Sequence, residues 1–368
     1  MRRLLTLAVA ALALAACSST PSSDSSTASP TPNRAVVIVS GGGARTPFTT
    51  PTQACSNAEG FQSAGNTATG LRDYLLAQGK QVYTAPTMEE FGPVTDPPTD
   101  SYQPFKDCPT VLPETLTITS SGDIGWGGER LARFVQYLHD EYGVTDVDFV
   151  GHSNGGLWSR AATWVMKNTN SPVTVRSITT LSTPHQGSVE GRFQAGEITD
   201  AACMGNQFCL DFDTWWVGYA DQGDKGINRE DTTKFLDGPD GWNASQAGAL
   251  DGIPVTLLTG TMFEAEGGDP TVWPYDGVVS KYSGWAIGVD DAVIPWRACW
   301  SGPLTHSIFV SDAYNYWAKG VTSAGPLKPQ PPLDWQTGIT WNTEALARVN
   351  QAIDEADTAL TTPNRQGC

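Results

Sequence analysis

A chain of 368 residues with 39% hydrophobic side chains, 38 Gly, 25 Pro and 13 Trp can bury one substantial core, and this composition excludes a helical bundle or a wholly disordered chain. The formal net charge of −17, from 22 basic and 39 acidic residues, argues against nucleic acid as a partner, because phosphate binding needs a surplus of Lys and Arg. The acidity suits solubility outside the cell and by itself names no substrate.

The N-terminus begins with a short basic region, Met1-Arg2-Arg3, followed by an apolar run over residues 4–14. That run is far shorter than the roughly 20 residues a membrane span requires. It ends in Leu14-Ala15-Ala16-Cys17, which resembles the lipobox of bacterial lipoproteins. Residues 1–16 are therefore expected to be a signal peptide, and Cys17 the lipidated first residue, tethering the protein to the outer face of the bacterial cell membrane. An ordinary signal peptide with an incidental Cys, and release into the medium, is the alternative. Residues 17–34, a Ser/Thr/Pro linker, offer almost nothing to bury and are expected to be disordered.

Of seven cysteines, Cys17 is assigned to the lipid, leaving Cys55, Cys108, Cys203, Cys209, Cys299 and Cys368. An even number fits an oxidising compartment, and six allow about 15 connectivities among which sequence does not choose. Cys203 and Cys209 are close enough to close a small loop and are the one pair predicted. None forms a tight CxxC pair, so no zinc site is expected.

The domain, residues 35–368, opens with Ala35-Val36-Val37-Ile38-Val39, a continuous apolar run suited to a buried parallel strand, and this leads straight into Ser40-Gly41-Gly42-Gly43. A helix is predicted over residues 67–78, stopped by Gly79, and a short strand over 81–84. Residues 87–120, rich in Pro and polar groups, read as a long loop. Leu131, Phe134, Val135, Leu138 and Tyr142 form the stripe of an amphipathic helix over 129–142, with His139 off the stripe and read as solvated. Strands are predicted at 147–150 and 175–181, with a helix over 155–167 between them. Residues 186–250 hold three Trp and the close Cys pair, and read as an insertion over the carboxyl edge of the sheet. A strand over 253–259 restores the pattern, and 343–356 predicts a C-terminal helix. The alternation makes this an α/β fold, an open and mostly parallel sheet with helices on both faces.

Gly151-His152-Ser153-Asn154-Gly155 matches G-x-S-x-G. The pattern alone is weak, and an incidental Ser in a Gly-rich turn would produce it. Here it lies between a predicted strand and a predicted helix, the setting of a nucleophile elbow, in which Ser153 Oγ projects at the carboxyl edge of the sheet. The following helix aims its N-terminus at the same spot and favours developing negative charge. A Ser nucleophile needs a base, and the chain has four His. His139 faces elsewhere, His152 is expected to point away, and His185 is read as structural. His306, late in the chain, is the predicted base. The acid should lie between the strand at 253–259 and His306, which leaves Glu264, Glu266, Asp269, Asp276, Asp290 and Asp291. Asp276, in a turn-forming Asp-Gly pair, is the choice. The oxyanion hole would take the N–H of Asn154 and one from the loop after the first strand, with Gly42 preferred and Gly43 the alternative.

Together these segments resemble a bacterial lipase or esterase of the α/β-hydrolase superfamily. Residues 37–43 resemble the first strand and its H-G-x-G-type loop, and residues 130–156 the surroundings of the lipase nucleophile. Thr183-Pro184-His185-Gln186-Gly187 is similar to the T-P-H-x-G that follows the next strand, and Asp276-Gly277-Val278-Val279 to the D-G-x-V of the triad acid. Ser40 stands where lipases often carry His, and Asn154 where Met or Gln is frequent. Some relatives bind a structural Ca²⁺, and no pattern here demands one. The resemblance implies an α/β-hydrolase fold and carboxylic ester hydrolysis on Ser153, with His306 as base and Asp276 as acid. It needs no cofactor and takes an ester or lipid substrate, and the expected state is a monomer. Trp215 and Trp216 are read as either an apolar lid or core aromatics. Two other functions fit the same sequence: a cell-envelope acyltransferase using the same acyl-enzyme, and an inactive binding lipoprotein.

Overall fold

The computed structural model describes residues 33–56, 62–97, 105–220, 230, 232–238, 240–318, 333–359 and 365–368. The signal segment 1–16, Cys17 and the linker up to residue 32 lie outside the described residues.

One seven-stranded sheet organises the chain. Its strands are β1 (Arg34–Val39), β2 (Val82–Thr84), β3 (Asp146–His152), β4 (Thr174–Leu181), β5 (Val255–Gly260), β6 (Arg297–Gly302) and β7 (Arg365–Gln366), in the order β7-β6-β5-β4-β3-β1-β2. Every pairing is parallel. Parallel strands are buried on both faces, so each runs apolar side chains alternately into two layers. Val37 and Val39 of β1 join Phe149 of β3 and Leu257 of β5 in one core. Val36 and Ile38 join Val150, Leu181 and Leu258 in the other.

The first core is covered by α2 (Ile124–Tyr142) and α3 (Asn154–Asn168), the second by α1 (Asn66–Ala77) and α6 (Thr343–Glu355). This is the α/β-hydrolase fold. β1 connects to β2 on one side and the chain then crosses to β3 on the other, so the crevice at the carboxyl ends of β1 and β3 is the switch point where open α/β sheets place ligands.

The predicted elements are present with shifted ends. α2 starts five residues before its predicted start, where Asp123 Oδ1 accepts from Trp126 N at 2.6 Å as the N-cap. Gly125, Gly127 and Gly128 interrupt the hydrophobic periodicity there and hide the first turns. His139 is half-buried rather than solvated, its Nδ1 2.9 Å from the Val144 carbonyl oxygen, where it helps close the helix end. Sequence reading missed β6 altogether, because its four middle residues are only half-buried and carry no clear apolar run. It also missed β7, which pairs through two residues and is held to β6 by the Cys299–Cys368 disulfide. The other bridges are Cys203–Cys209, the pair predicted, and Cys55–Cys108.

Residues 186–250 contain α4 (Gln207–Ala220), which packs against α5 (Ile308–Ala318) and the 262–275 loop in a third core of Phe208, Phe212, Phe263, Tyr275 and Tyr314. All three segments leave the carboxyl ends of their strands, so this core sits on the side of the sheet that carries the elbow. Trp215 is 38% exposed and packs in tilted contact with Phe212 and Phe309 at 6.0 and 5.7 Å, and the side chain of Trp216 lies outside the described residues.

Asp213 of α4 is buried in the third core, its Oδ2 3.4 and 3.5 Å from the sulfurs of Cys203 and Cys209. Bonded to each other, those sulfurs have no proton to donate. Burial, with Asp200 adding to it, pushes the Asp213 carboxyl up from 3.8 to about 7. The native state then keeps a proton that the unfolded chain has already lost, so this group removes stability as pH rises from about 4 to 7. In urea unfolding, Asp213→Asn should match wild type near pH 4 and exceed it by roughly 4 kcal/mol at pH 8. The same pH dependence in both proteins would contradict this account.

Candidate active site

Ser153 sits between the end of β3 and the start of α3 with φ 54° and ψ −134°. A side-chain-bearing residue in this region costs about 1–3 kcal/mol and persists only where its surroundings hold it. Ser153 N donates to the Leu181 carbonyl of β4 at 2.9 Å. Gly155 makes the turn sterically feasible, since a Cβ there would lie 2.2 Å from the Val39 carbonyl oxygen. Ser153 is the one partly exposed residue between His152 and Asn154, both buried.

The loop after β1 closes over the elbow. A Cβ on Gly41 would stand 2.4 Å from Ser153 Cβ and 2.9 Å from the His152 carbonyl oxygen, and one on Gly42 3.1 Å from Asn154 Nδ2. Gly43 turns away, with nothing within 4 Å of its Cβ direction. Ser40 is buried and accepts from Thr46 Oγ1 at 2.7 Å, while Ser120 Oγ donates to the Ala44 carbonyl at 3.0 Å. These two bonds pin the loop although Ser40 is not the His common in lipases. Nothing in the local sequence pointed to Thr46 or Ser120. Asn154 N, as the first N–H of α3, has no acceptor within the helix and is directed to the same side.

His306 follows β6, and Asp276 lies in the loop after β5. His306 Nδ1 is 3.0 Å from Asp276 Oδ2, and His306 N donates to the Asp276 carbonyl at 2.9 Å. Asp276 Oδ1 accepts from Val278 N at 2.9 Å and Val279 N at 2.7 Å, which leaves Oδ2 for the imidazole. A carboxylate only accepts, so Nδ1 carries the proton and Nε2 is left as the acceptor. Three of the five competing acids are engaged elsewhere: Asp269 Oδ1 binds Thr271, Asp290 Oδ1 accepts from Ala292 N, and Asp291 pairs with Arg297, while Glu264 and Glu266 are exposed.

His152 does not point away as expected. It is buried, its Nε2 lies 2.8 Å from the His306 carbonyl oxygen, and the two rings are 4.7 Å apart. Its parity along β3 places it on the face reached by the 303–307 loop, which becomes visible only once β6 is in place. His185 is fully buried behind the elbow. Arg160 NH1 of α3 donates to its Nδ1 at 3.2 Å, and its Nε2 contacts Thr180 Oγ1 at 3.3 Å. Burial, then the positive charges of Arg160 and Arg297, hold His185 well below its usual pKa and keep it neutral. Arg160 is itself lowered to about 9, by burial and then by Arg297, against Asp237. Asn243 of the insertion accepts from Arg160 NH2 and donates to the His185 carbonyl, both at 2.8 Å. The insertion is thereby bonded to the helix behind Ser153. No spacing in the sequence announces a contact between residues this far apart.

Comparison with known proteins finds similarity in part of the chain. Residues 112–198 match the family model described as "Putative serine esterase (DUF676)". A stretch of 61 residues is 43% identical to a triacylglycerol lipase of Pseudarthrobacter phenanthrenivorans, covering 17% of this chain and 18% of that protein. A 61-residue stretch is equally 43% identical to a triacylglycerol lipase of Burkholderia plantarii, covering 17% of this chain and 16% of that one. The chain thus spans less than a fifth of the length of either curated relative. Among solved structures, naproxen esterase from Bacillus subtilis is 13% identical with a TM-score of 0.37, over 79% of this chain and 82% of that one. The thioesterase of the prodiginine pathway in Streptomyces coelicolor is 14% identical with a TM-score of 0.40, over 87% and 86%. Residues 112–198, which carry the elbow, are thus similar to a family of putative serine esterases, and a 61-residue stretch of the chain is similar to bacterial triacylglycerol lipases.

Proposed function

We propose that this protein is a serine hydrolase that cleaves carboxylic esters through an acyl-enzyme on Ser153. The observation that carries the reading is the Asp276–His306 pair, at 3.0 Å, held on the same sheet edge as a serine elbow covered by the Gly41–Gly42 loop. In the reaction, Ser153 Oγ turns toward His306 Nε2, gives up its proton there and attacks the ester carbonyl carbon. The N–H groups of Asn154 and Gly42 hold the oxyanion. The tetrahedral adduct collapses, and His306 returns the proton to the leaving alkoxide. Water then enters, loses a proton to the same nitrogen as its oxygen attacks the acyl carbon, and the second adduct collapses with breakage of the acyl–Oγ bond, His306 returning the proton to Ser153 Oγ as the acid leaves. Asp276 fixes the tautomer and steadies the imidazolium.

Incubation with a fluorophosphonate, followed by peptide mass spectrometry, should modify one serine, Ser153, and stop turnover of short p-nitrophenyl esters in proportion. Modification of another serine, or turnover unaffected by complete labelling of Ser153, would overturn the reading. The lipobox-like Leu14–Cys17 sequence and three disulfides support a lipid-tethered location outside the cytoplasm.

A further inference from the structure

His152 touches all three working parts of the proposed site. The next residue is Ser153, its carbonyl oxygen lies against Gly41 of the oxyanion loop, and its imidazole lies against His306. The His306 carbonyl can only accept, so His152 Nε2 is the donor, and the neutral ring then has its proton there and none on Nδ1. Nδ1 is buried with no hydrogen-bond partner among the described residues. Leaving such an atom unpaired costs free energy, so the ring is oriented by its bond to the carbonyl and not by Nδ1.

We propose that His152 is a positioning residue, whose Nε2–H bond to the His306 carbonyl sets the base loop at its working distance from the nucleophile. This rests on the assignment of Ser153 as nucleophile and His306 as base. His306 has two bonds to Asp276, one through its N–H and one through Nδ1. Both tie it to the loop after β5, and neither ties it to β3, where Ser153 sits. The carbonyl bond to His152 supplies that missing connection. Burial, and secondarily the neighbouring His306, push the His152 pKa down to about 3, so the ring stays neutral and keeps this donor throughout the range in which an ester hydrolase works.

The test compares His152→Gln, which keeps an N–H donor near the same place, with His152→Leu, which fills similar volume without one. Both are made in the full chain beside Ser153→Ala and His306→Ala. Misplacing a base by about 1 Å can cost on the order of 100-fold in rate. His152→Leu should therefore lose about 100-fold in kcat with KM within threefold. Its low-field proton resonance from His306 Nδ1–H should be shifted or broadened. His152→Gln should recover kcat to within about fivefold of wild type, together with a wild-type resonance. The proposal is overturned if folded His152→Leu keeps kcat within threefold, or if His152→Gln is no better than His152→Leu. It is overturned equally if the loss falls on KM alone. Wild-type rates in Ser153→Ala or His306→Ala would instead defeat the nucleophile and base assignment. That result is distinguishable, because it leaves the effect of the His152 variants on the His306 resonance intact.

Discussion

Ser153→Ala is expected to lower kcat for short-chain ester hydrolysis by at least about 10⁴-fold with the fold unchanged, and His306→Ala to do the same. The two residues act as one unit, so the double variant should be scarcely worse than either single one. Asp276→Asn should cost a comparable amount for a different reason. The carboxamide can donate to Nδ1, which would move the imidazole proton to Nε2 and remove the acceptor that Ser153 needs. The two backbone N–H bonds to Asp276 Oδ1 would hold the replacement in place. Ser153→Gly provides a complementary readout. At φ 54° and ψ −134° glycine is unstrained, so this variant should gain about 1 kcal/mol in urea unfolding while losing turnover. Ester turnover, fluorophosphonate labelling and urea midpoints measured on the same preparations test the set. A Ser153→Ala enzyme within tenfold of wild type would end the acyl-enzyme account.

Gly155→Ala is expected to lose about 3 kcal/mol of stability, and most of the activity with it. The new methyl group would lie 2.2 Å from the Val39 carbonyl oxygen and 2.8 Å from that of Ser40. Both are backbone atoms at the end of β1, so no rotamer change relieves the contact. Either α3 moves off the sheet or β1 bends, and β1 leads directly into Gly41 and Gly42. The fall in stability and the loss of turnover therefore share one cause. Urea unfolding followed by tryptophan fluorescence, with activity normalised to folded protein, separates them. A variant as stable as wild type would show that the packing of α3 on β1 is looser than these distances require.

Features encoded within a few consecutive residues were legible in the sequence. The apolar run of β1 and the stripe of α2 follow from periodicity, and the elbow follows from a G-x-S-x-G placed between strand and helix. His306 emerged because there are only four His and the chain order demanded a late one, and Asp276 because an Asp-Gly turn fell in the right interval. The Cys203–Cys209 bridge followed from a separation of 6 residues, whereas Cys55–Cys108 and Cys299–Cys368, at 53 and 69, had no local signature. Tertiary structure alone decided the rest. β6 is a strand because β5 and β7 flank it, not because its own residues alternate. His152 faces the base loop because β6 delivers that loop to its side of β3. Arg160, His185 and Asn243 form one network across the insertion, although their individual identities suggest nothing. Secondary structure and turns are written in side-chain spacing and backbone preference. Which buried donor meets which acceptor is settled only when the whole sheet has closed and most such groups find a partner.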